Sequence, residues 1–526
     1  MADAKEMYHY NLGLRFQHVA ALHANRTALR FNAGETVTYA ALNSESNRAA
    51  HWLAARGVEA GDLVCLAGVK TRHTIACMIG CLKLGAAYCM LDPDSPVERL
   101  RKILETCRPA LVLGDRDFHA RSRNGLEDAG IRFELLTSEV FDEAISNGDD
   151  ENPPFVMDVT GDRAAYVMFT SGSTGFPKGA VMTHANVLNL INWSQATYAV
   201  RPDDILTNVN PLYFDNSVFD LYTALFSGAC MVPFTKEEVR DPKLLVDKVD
   251  EARCTVWFSV PSLLMFLQTM KATDGRHLRS IRRFIFGGEK YPKSKLKNLF
   301  DLYSNSSEFH NVYGPTECTC ICSSYRISGE DFRGMEGLPP LGHLAPNFSF
   351  LILDERGKRV EDGGVGELCL LGPNVGKGYY NDPVRTAASF IQNPMNTAYP
   401  EVMYKTGDLV RFDPRDGKLY IEGRRDNQIK HMGYRIELEE IEAAMHQLEY
   451  VSEAAAVHSE NGGLSRIIAV VASSATFTDD QIRRDLRQLI PEYMIPSTFN
   501  RETALPKNAN GKVDRVALHR RYAGKA

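Results

Sequence analysis

Between Thr38 and Gly114 short apolar runs alternate with stretches of helical periodicity, and this alternation restricts the available folds more than any other feature of the chain. Leu42, Ala49 and Leu53 recur at helical spacing, with Gly57 as a stop. Asp62 to Val69 is short and apolar, Thr71 to Leu84 is helical and ends at Gly85, and Tyr88 to Leu91 is strand-like. Pro96 to Glu105 is again helical and Ala110 to Gly114 again a strand. Strands joined through helices pair in parallel, so an α/β fold is predicted. The polar segment from Arg116 to Asp162, with Asn147-Gly148-Asp149-Asp150 and Pro153-Pro154, reads as a connection.

A length of 526 residues exceeds one ordinary core, so at least two domains are expected. The texture changes after Gly423-Arg424-Arg425-Asp426. Leu438, Ile441, Met445 and Leu448 share one helical face, Arg466 to Val471 is strand-like, and Ile482, Leu486, Leu489 and Ile490 make a second helix. The predicted division is a large N-terminal α/β domain, residues 1–425, and a small α+β C-terminal domain, residues 426–526.

The net charge of −6, from 60 Lys and Arg against 66 Asp and Glu, provides no basic field for phosphate backbones and argues against a nucleic-acid partner. The first residues, with Asp3, Glu6, Tyr8 and Tyr10, lack the basic start and apolar run of an export signal. The apolar stretch from Thr74 to Leu91 is broken by Lys83 and Gly85 and reads as core rather than as a membrane span. Eleven cysteines, most of them inside apolar runs, fit reduced thiols in a cytoplasmic enzyme. Cys318, Cys320 and Cys322 would share one face of a strand, but no paired Cys or nearby His completes a metal site.

Tyr166 to Thr170 is an apolar strand that runs into Ser171-Gly172-Ser173-Thr174-Gly175-Phe176-Pro177-Lys178. Glycines let backbone N–H groups turn toward a polyphosphate, hydroxyls add donors, and Lys178 adds charge. The spacing differs from the Walker A pattern, which removes the main support for a P-loop ATPase. A Ser/Gly surface linker is the bland alternative.

The loop resembles that of the adenylate-forming superfamily, and in particular the amino-acid adenylation domains of nonribosomal peptide synthesis. Further matches follow in order along nearly the whole chain. They are Leu82-Lys83-Leu84-Gly85-Ala86-Ala87-Tyr88 with Leu91-Asp92-Pro93, Phe214-Asp215-Asn216-Ser217, and Asn311-Val312-Tyr313-Gly314-Pro315-Thr316-Glu317. Gly366-Glu367-Leu368, Gly378-Tyr379 and Tyr404-Lys405-Thr406-Gly407-Asp408-Leu409 come next. Gly423 to Lys430, Gly433-Tyr434-Arg435-Ile436-Glu437 and Asn510-Gly511-Lys512-Val513-Asp514-Arg515 complete the set.

The resemblance implies an enzyme that uses ATP and Mg²⁺ to convert an amino acid into aminoacyl-AMP, with Lys512, Thr170, Lys178 and Glu317 in catalytic roles. It places ATP on Thr170, Ser171, Gly172, Ser173, Thr174, Gly175, Lys178, Gly288, Asn311, Tyr313, Gly314, Thr316, Asp408 and Arg424. Within that set Glu317 would ligate Mg²⁺, Tyr313 would flank the adenine, Thr316 would reach the α-phosphate region and Asp408 would clamp the ribose. Asp426 would be the hinge of a mobile C-terminal domain, carrying Lys512 in for adenylation and Lys430 with Gly433 for thioester formation. A departure from the family is Lys430-His431-Met432-Gly433, where an arginine commonly precedes the glycine.

By the same resemblance Asp215 would pair with the substrate's α-ammonium. The acyl pocket would comprise Asp215, Asn216, Phe219, Phe258, Ile285, Gly287, Val312, Cys320, Ile321 and Lys512. Its mostly apolar lining implies a small neutral aliphatic amino acid such as alanine, valine or isoleucine, with proline also open. Because the chain ends soon after Arg515, the expected acceptor is the phosphopantetheine thiol of a separate carrier protein. The competing readings are an acyl-CoA ligase on the same fold and a catalytically silent nucleotide-binding protein.

Overall fold

The protein is described by a computed structural model, covering residues 8–126, 132–136, 148–172, 175–346, 348–461, 464–473, 476–508 and 513–523. The predicted alternation is realised as a six-stranded sheet. Its strands lie in the order Phe133–Leu135, Leu111–Gly114, Leu63–Ala67, Ala87–Met90, Ala164–Thr170, Lys178–Thr183. All neighbours are parallel except the last pair, an antiparallel hairpin. Helix Arg72–Leu84 stops where the sequence places the stop, because Gly85 takes φ 80° and its N–H closes on the Cys81 carbonyl.

A nine-stranded sheet lies alongside. Strands Glu308–Tyr313, Arg283–Gly287, Val256–Ser259, Ile205–Asn208, Cys230–Pro233 and Thr27–Arg30 run parallel, with antiparallel edges at both ends. One continuous apolar core joins the two sheets, from Leu66 and Tyr88 to Phe219, Phe258 and Val312. A five-stranded antiparallel sheet follows, and its long strand Val402–Asp413 pairs with Lys418–Arg424.

Beyond Arg425 lie the two-stranded hairpin Gln428–His431 and Tyr434–Glu437, helix Leu438–Met445, and a three-stranded sheet with helix Asp479–Leu486. Their apolar residues form clusters of their own, drawn only from residues 429–523. The architecture is therefore α/β, with a large N-terminal part and a smaller α+β C-terminal part.

Three local expectations require correction. The segment after Arg116 is not wholly a connection: it holds helix Arg116–Leu126, which is mostly polar, and edge strand Phe133–Leu135, which is only three residues long. Leu489 and Ile490 lie past the end of helix Asp479–Leu486, although Ile490 still packs in its core. Cys318, Cys320 and Cys322 are not on a strand. Thr316–Cys318 is a short 3₁₀ turn, and Thr319 and Cys320 take φ of 61° and 71°. The Thr319 hydroxyl holds that turn by donating to the Asn374 carbonyl at 2.8 Å.

Candidate active site

The hydroxyl and glycine loop joins the antiparallel pair Ala164–Thr170 and Lys178–Thr183, so Thr170 and Lys178 are cross-strand partners. Thr170 lines a cavity, and its buried Oγ1 has no hydrogen-bond partner among the described residues. An orphaned buried hydroxyl is costly, and one facing a cavity indicates a ligand group. Gly172 cannot carry a side chain, because a Cβ there would sit 2.0 Å from the Phe176 carbonyl oxygen. Ser173 and Thr174 lie outside the described residues.

Glu317 is the electrostatic centre. Its carboxylate, 0 % exposed, accepts from the Tyr379 hydroxyl at 2.8 Å and from Arg435 Nη1 at 2.6 Å, and Lys178 Nζ stands 3.7 Å away. Burial alone would raise its pKa, but Arg435 and Lys178 outweigh burial and hold the carboxyl well below the usual range. Lys178 also faces Glu437 at 3.9 Å. Burial, with Arg435 next, lowers the Lys178 pKa against the pull of the two glutamates. With both oxygens of Glu317 engaged and two cationic side chains within 4 Å, this arrangement does not fit Mg²⁺, which needs oxygen ligands at about 2.1 Å around an octahedron.

Asp408 and Arg424 face each other across adjacent strands, Nη1 to Oδ1 at 2.6 Å, while the Tyr313 hydroxyl donates to Asp408 Oδ2 at 2.6 Å. Arg424 also grips Asp426 with a two-point fork, both bonds 2.7 Å. Aromatic ring, carboxylate and guanidinium, three residues assigned from separate motifs to the nucleotide, thus meet in one cluster with Asp426, the residue expected to be the hinge. The Asn311 amide instead donates to the Pro340 carbonyl at 2.9 Å. Gly314 packs tightly, as a Cβ there would meet the Cys320 carbonyl oxygen at 2.3 Å.

The cavity is lined by seven of the ten residues assigned to the acyl pocket: Asp215, Asn216, Phe258, Gly287, Val312, Cys320 and Ile321. Phe219 and Ile285 are not on its surface; both are buried next to Phe258, which is. Phe219 meets the Phe258 ring edge-on at 4.8 Å, and Ile285 is the cross-strand neighbour of Phe258. Asp215 begins helix Asn216–Leu225, yet its side chain makes no capping bond. Thr316 lines the same cavity as Asp215. Burial raises the Asp215 pKa, partly offset by Thr316 and by the charge of Lys430.

Lys430, Gly433 and Arg435 come from the C-terminal hairpin and line the same cavity. The Gly433 N–H, at φ 85°, donates to Glu289 Oε1 at 2.6 Å. Gly288, also lining the cavity, has φ 86°. Lys512 lies outside the described residues. On either side of it, Lys507 and Val513 pair with each other, and Val513 packs in the C-terminal core away from the cavity lining.

Sequence reasoning assigned no role to Arg435, Tyr379 or Glu289. The first two stand inside quoted motifs, Gly433-Tyr434-Arg435 and Gly378-Tyr379, so their signal was available. Glu289 belongs to no quoted motif, and only the fold brings it to Gly433.

A family model described as AMP-binding enzyme matches residues 16–380, and one described as AMP-binding enzyme C-terminal domain matches residues 440–512. The L-proline--[L-prolyl-carrier protein] ligase of Pseudomonas fluorescens is 34 % identical over 525 residues, covering 97 % of this chain and 99 % of that one. The dimodular nonribosomal peptide synthase of Bacillus subtilis is 35 % identical over 504 residues, 96 % of this chain. The chain spans only 20 % of that synthase's length. Among solved structures, the Vibrio cholerae adenylation domain AlmE in complex with glycyl-adenosine-5′-phosphate has a TM-score of 0.84 at 22 % identity, covering 99 % of both chains, a likeness of fold. Holo-PA1221, which contains adenylation and PCP domains, has a TM-score of 0.81 at 27 % identity, covering 98 % of this chain and 84 % of that one.

Proposed function

Since this chain belongs to the AMP-binding enzyme family of adenylate-forming ligases, we propose that it activates an amino acid as aminoacyl-AMP, releases pyrophosphate, and passes the aminoacyl group to the phosphopantetheine thiol of a carrier protein. The observation that carries the amino-acid reading is the carboxylate of Asp215, which makes no capping bond and lines a cavity beside the apolar walls of Phe258, Val312 and Ile321. An α-ammonium is the natural partner for such an anion, and an acid lacking the amine would leave it unpaired.

Adenylation brings two anions together, the substrate carboxylate and the ATP α-phosphate, so cations and fixed donors must offset their repulsion. In this reading Thr170 and Lys178 serve the phosphates from adjacent strands, and Asp408 with Tyr313 and Arg424 receives the nucleoside. Lys512, in a C-terminal domain that moves about Asp426, supplies the cation for the first step. Lys430 and Gly433 belong to the second step, where a thiol attacks the adenylate carbonyl and AMP leaves.

The walls formed by Phe258, Val312, Cys320 and Ile321 carry no charge to match a charged side chain, which favours a small neutral amino acid. The prolyl ligase relative puts proline on that panel beside alanine, valine and isoleucine. The test is amino-acid-dependent exchange of pyrophosphate into ATP across such a panel, with propionate and isobutyrate as amine-free controls. Exchange by a neutral amino acid and not by the controls is expected. Equal exchange by the controls would overturn the reading in favour of a general acid substrate.

A further inference from the structure

The strand Tyr434–Glu437 does more than cover the cavity, because it occupies groups that the sequence assigns to metal-bound ATP. Arg435 Nη1 lies 2.6 Å from Glu317 Oε2, and a second bond, from its Nε to Gln428 Oε1 at 2.8 Å, aims the guanidinium there. The other Glu317 oxygen is taken by Tyr379 at 2.8 Å. The backbone of the same strand closes on the phosphate loop. Ser171 Oγ donates to the Arg435 carbonyl at 2.6 Å and accepts from the Glu437 N–H at 3.1 Å.

A guanidinium in contact with Oε2 leaves no room for an ion at the metal–oxygen distance of about 2.1 Å, and two cations so close repel strongly. We propose that Arg435 and a divalent cation are alternative partners of Glu317, so that seating of this strand and loading of metal-bound nucleotide exclude one another. The inference rests on the adenylating reading, in which Glu317 faces the nucleotide's metal. It assigns Arg435 as a positioning residue: the guanidinium neutralises Glu317 in the docked arrangement and must leave before the metal enters. The observed docking is well anchored. The buried Arg99–Glu440 ion pair and the edge-on contact of Phe214 with Tyr434, ring centroids 4.9 Å apart, hold the C-terminal part against the N-terminal part. Metal entry therefore works against a populated competing state, and the apparent affinity falls by the fraction of molecules so docked.

The test uses the full chain and α,β-methylene ATP, which cannot release pyrophosphate. Its affinity is measured by calorimetry with Mn²⁺ and with EDTA, in the parent and in Arg435→Ala and Arg435→Gln. The ratio of Mn²⁺-loaded to metal-free affinity is expected to rise at least tenfold in both variants, because the metal no longer displaces a guanidinium. A fluorescence pair at cysteines introduced for the exposed Tyr399 and Val516 reports the separation of the two parts; the native cysteines are buried. In the parent, Mn²⁺-loaded nucleotide is expected to change that separation and metal-free nucleotide to leave it. A ratio within twofold of the parent in both variants, with nucleotide binding intact, overturns this inference alone. Absence of nucleotide binding under either condition overturns it together with the adenylating reading.

Discussion

Replacing Asp215 with alanine tests the central electrostatic claim. The parent carboxylate lines the cavity, makes no capping bond to its own helix, and feels the charge of Lys430. Without it a bound α-ammonium would face Lys430 with no anion between them. Losing a charge-assisted bond costs about 1.5–3 kcal/mol, and truncating one partner of a buried charge pair about 2–5 kcal/mol. Taking about 3 kcal/mol, kcat/KM for the amino acid in pyrophosphate exchange should fall roughly 150-fold. The loss should be specific to the amine, leaving any residual exchange with propionate unchanged. Asp215 binds the ammonium only when ionised, and burial raises its pKa above the ordinary carboxylate value. The acid limb of the parent's kcat/KM profile should therefore lie above the usual carboxylate range and vanish in Asp215→Asn. A variant within threefold of the parent, or one that loses amino acid and amine-free acid equally, would refute the reasoning.

Glu440→Ala leaves Arg99 buried without its partner, which should cost about 3–5 kcal/mol of docking and expose the 425–435 segment to limited proteolysis; an unchanged digestion pattern would count against the latch. Gly287→Ala puts a Cβ 2.3 Å from the Val312 carbonyl oxygen, a backbone atom that cannot swing away, so denaturant titration should show a loss of about 1–3 kcal/mol. Asp408→Asn weakens its charged bonds with Tyr313 and Arg424 and removes the anion offered to the ribose, so the KM for ATP should rise roughly 30-fold, for a loss of about 2 kcal/mol. His184 is fully buried, accepts from the Leu12 N–H at 3.0 Å, and has its pKa lowered by burial to about 3. The unfolded chain takes up a proton near pH 6.5 while the folded one does not, so stability should fall by about 1.4 kcal/mol per pH unit from that value toward pH 3. His184→Asn should flatten that slope in urea titrations at successive pH values.

The sequence by itself determined what depends on neighbours along the chain. The strand and helix alternation from Thr38 to Gly114 was legible because apolar spacing and glycine stops act over one or two turns, and Gly85 ended its helix through a local φ that glycine adopts readily. Local chemistry also marked the phosphate loop, whereas Asp215, Glu317 and Asp408 stood out only through the resemblance of their motifs to a family, since singly each reads as an ordinary turn or solvated carboxylate. Helix Arg116–Leu126 escaped because it is mostly polar and offers few apolar residues whose spacing could mark it.

Only the tertiary structure decided which of those groups meet. Glu317 and Arg435 are 118 residues apart and Ser171 and Arg435 are 264 apart, and no spacing rule relates such pairs. Pocket depth was likewise settled by packing. Phe219 and Ile285 carry the right residue types for a lining yet are packed away beside Phe258, and only Phe258 reaches the cavity. Long-range contacts are chosen by how sheets and domains bury their surfaces against each other. The pairing at Glu317 is therefore a property of one docked arrangement of the chain, and the bare succession of residues leaves it undetermined.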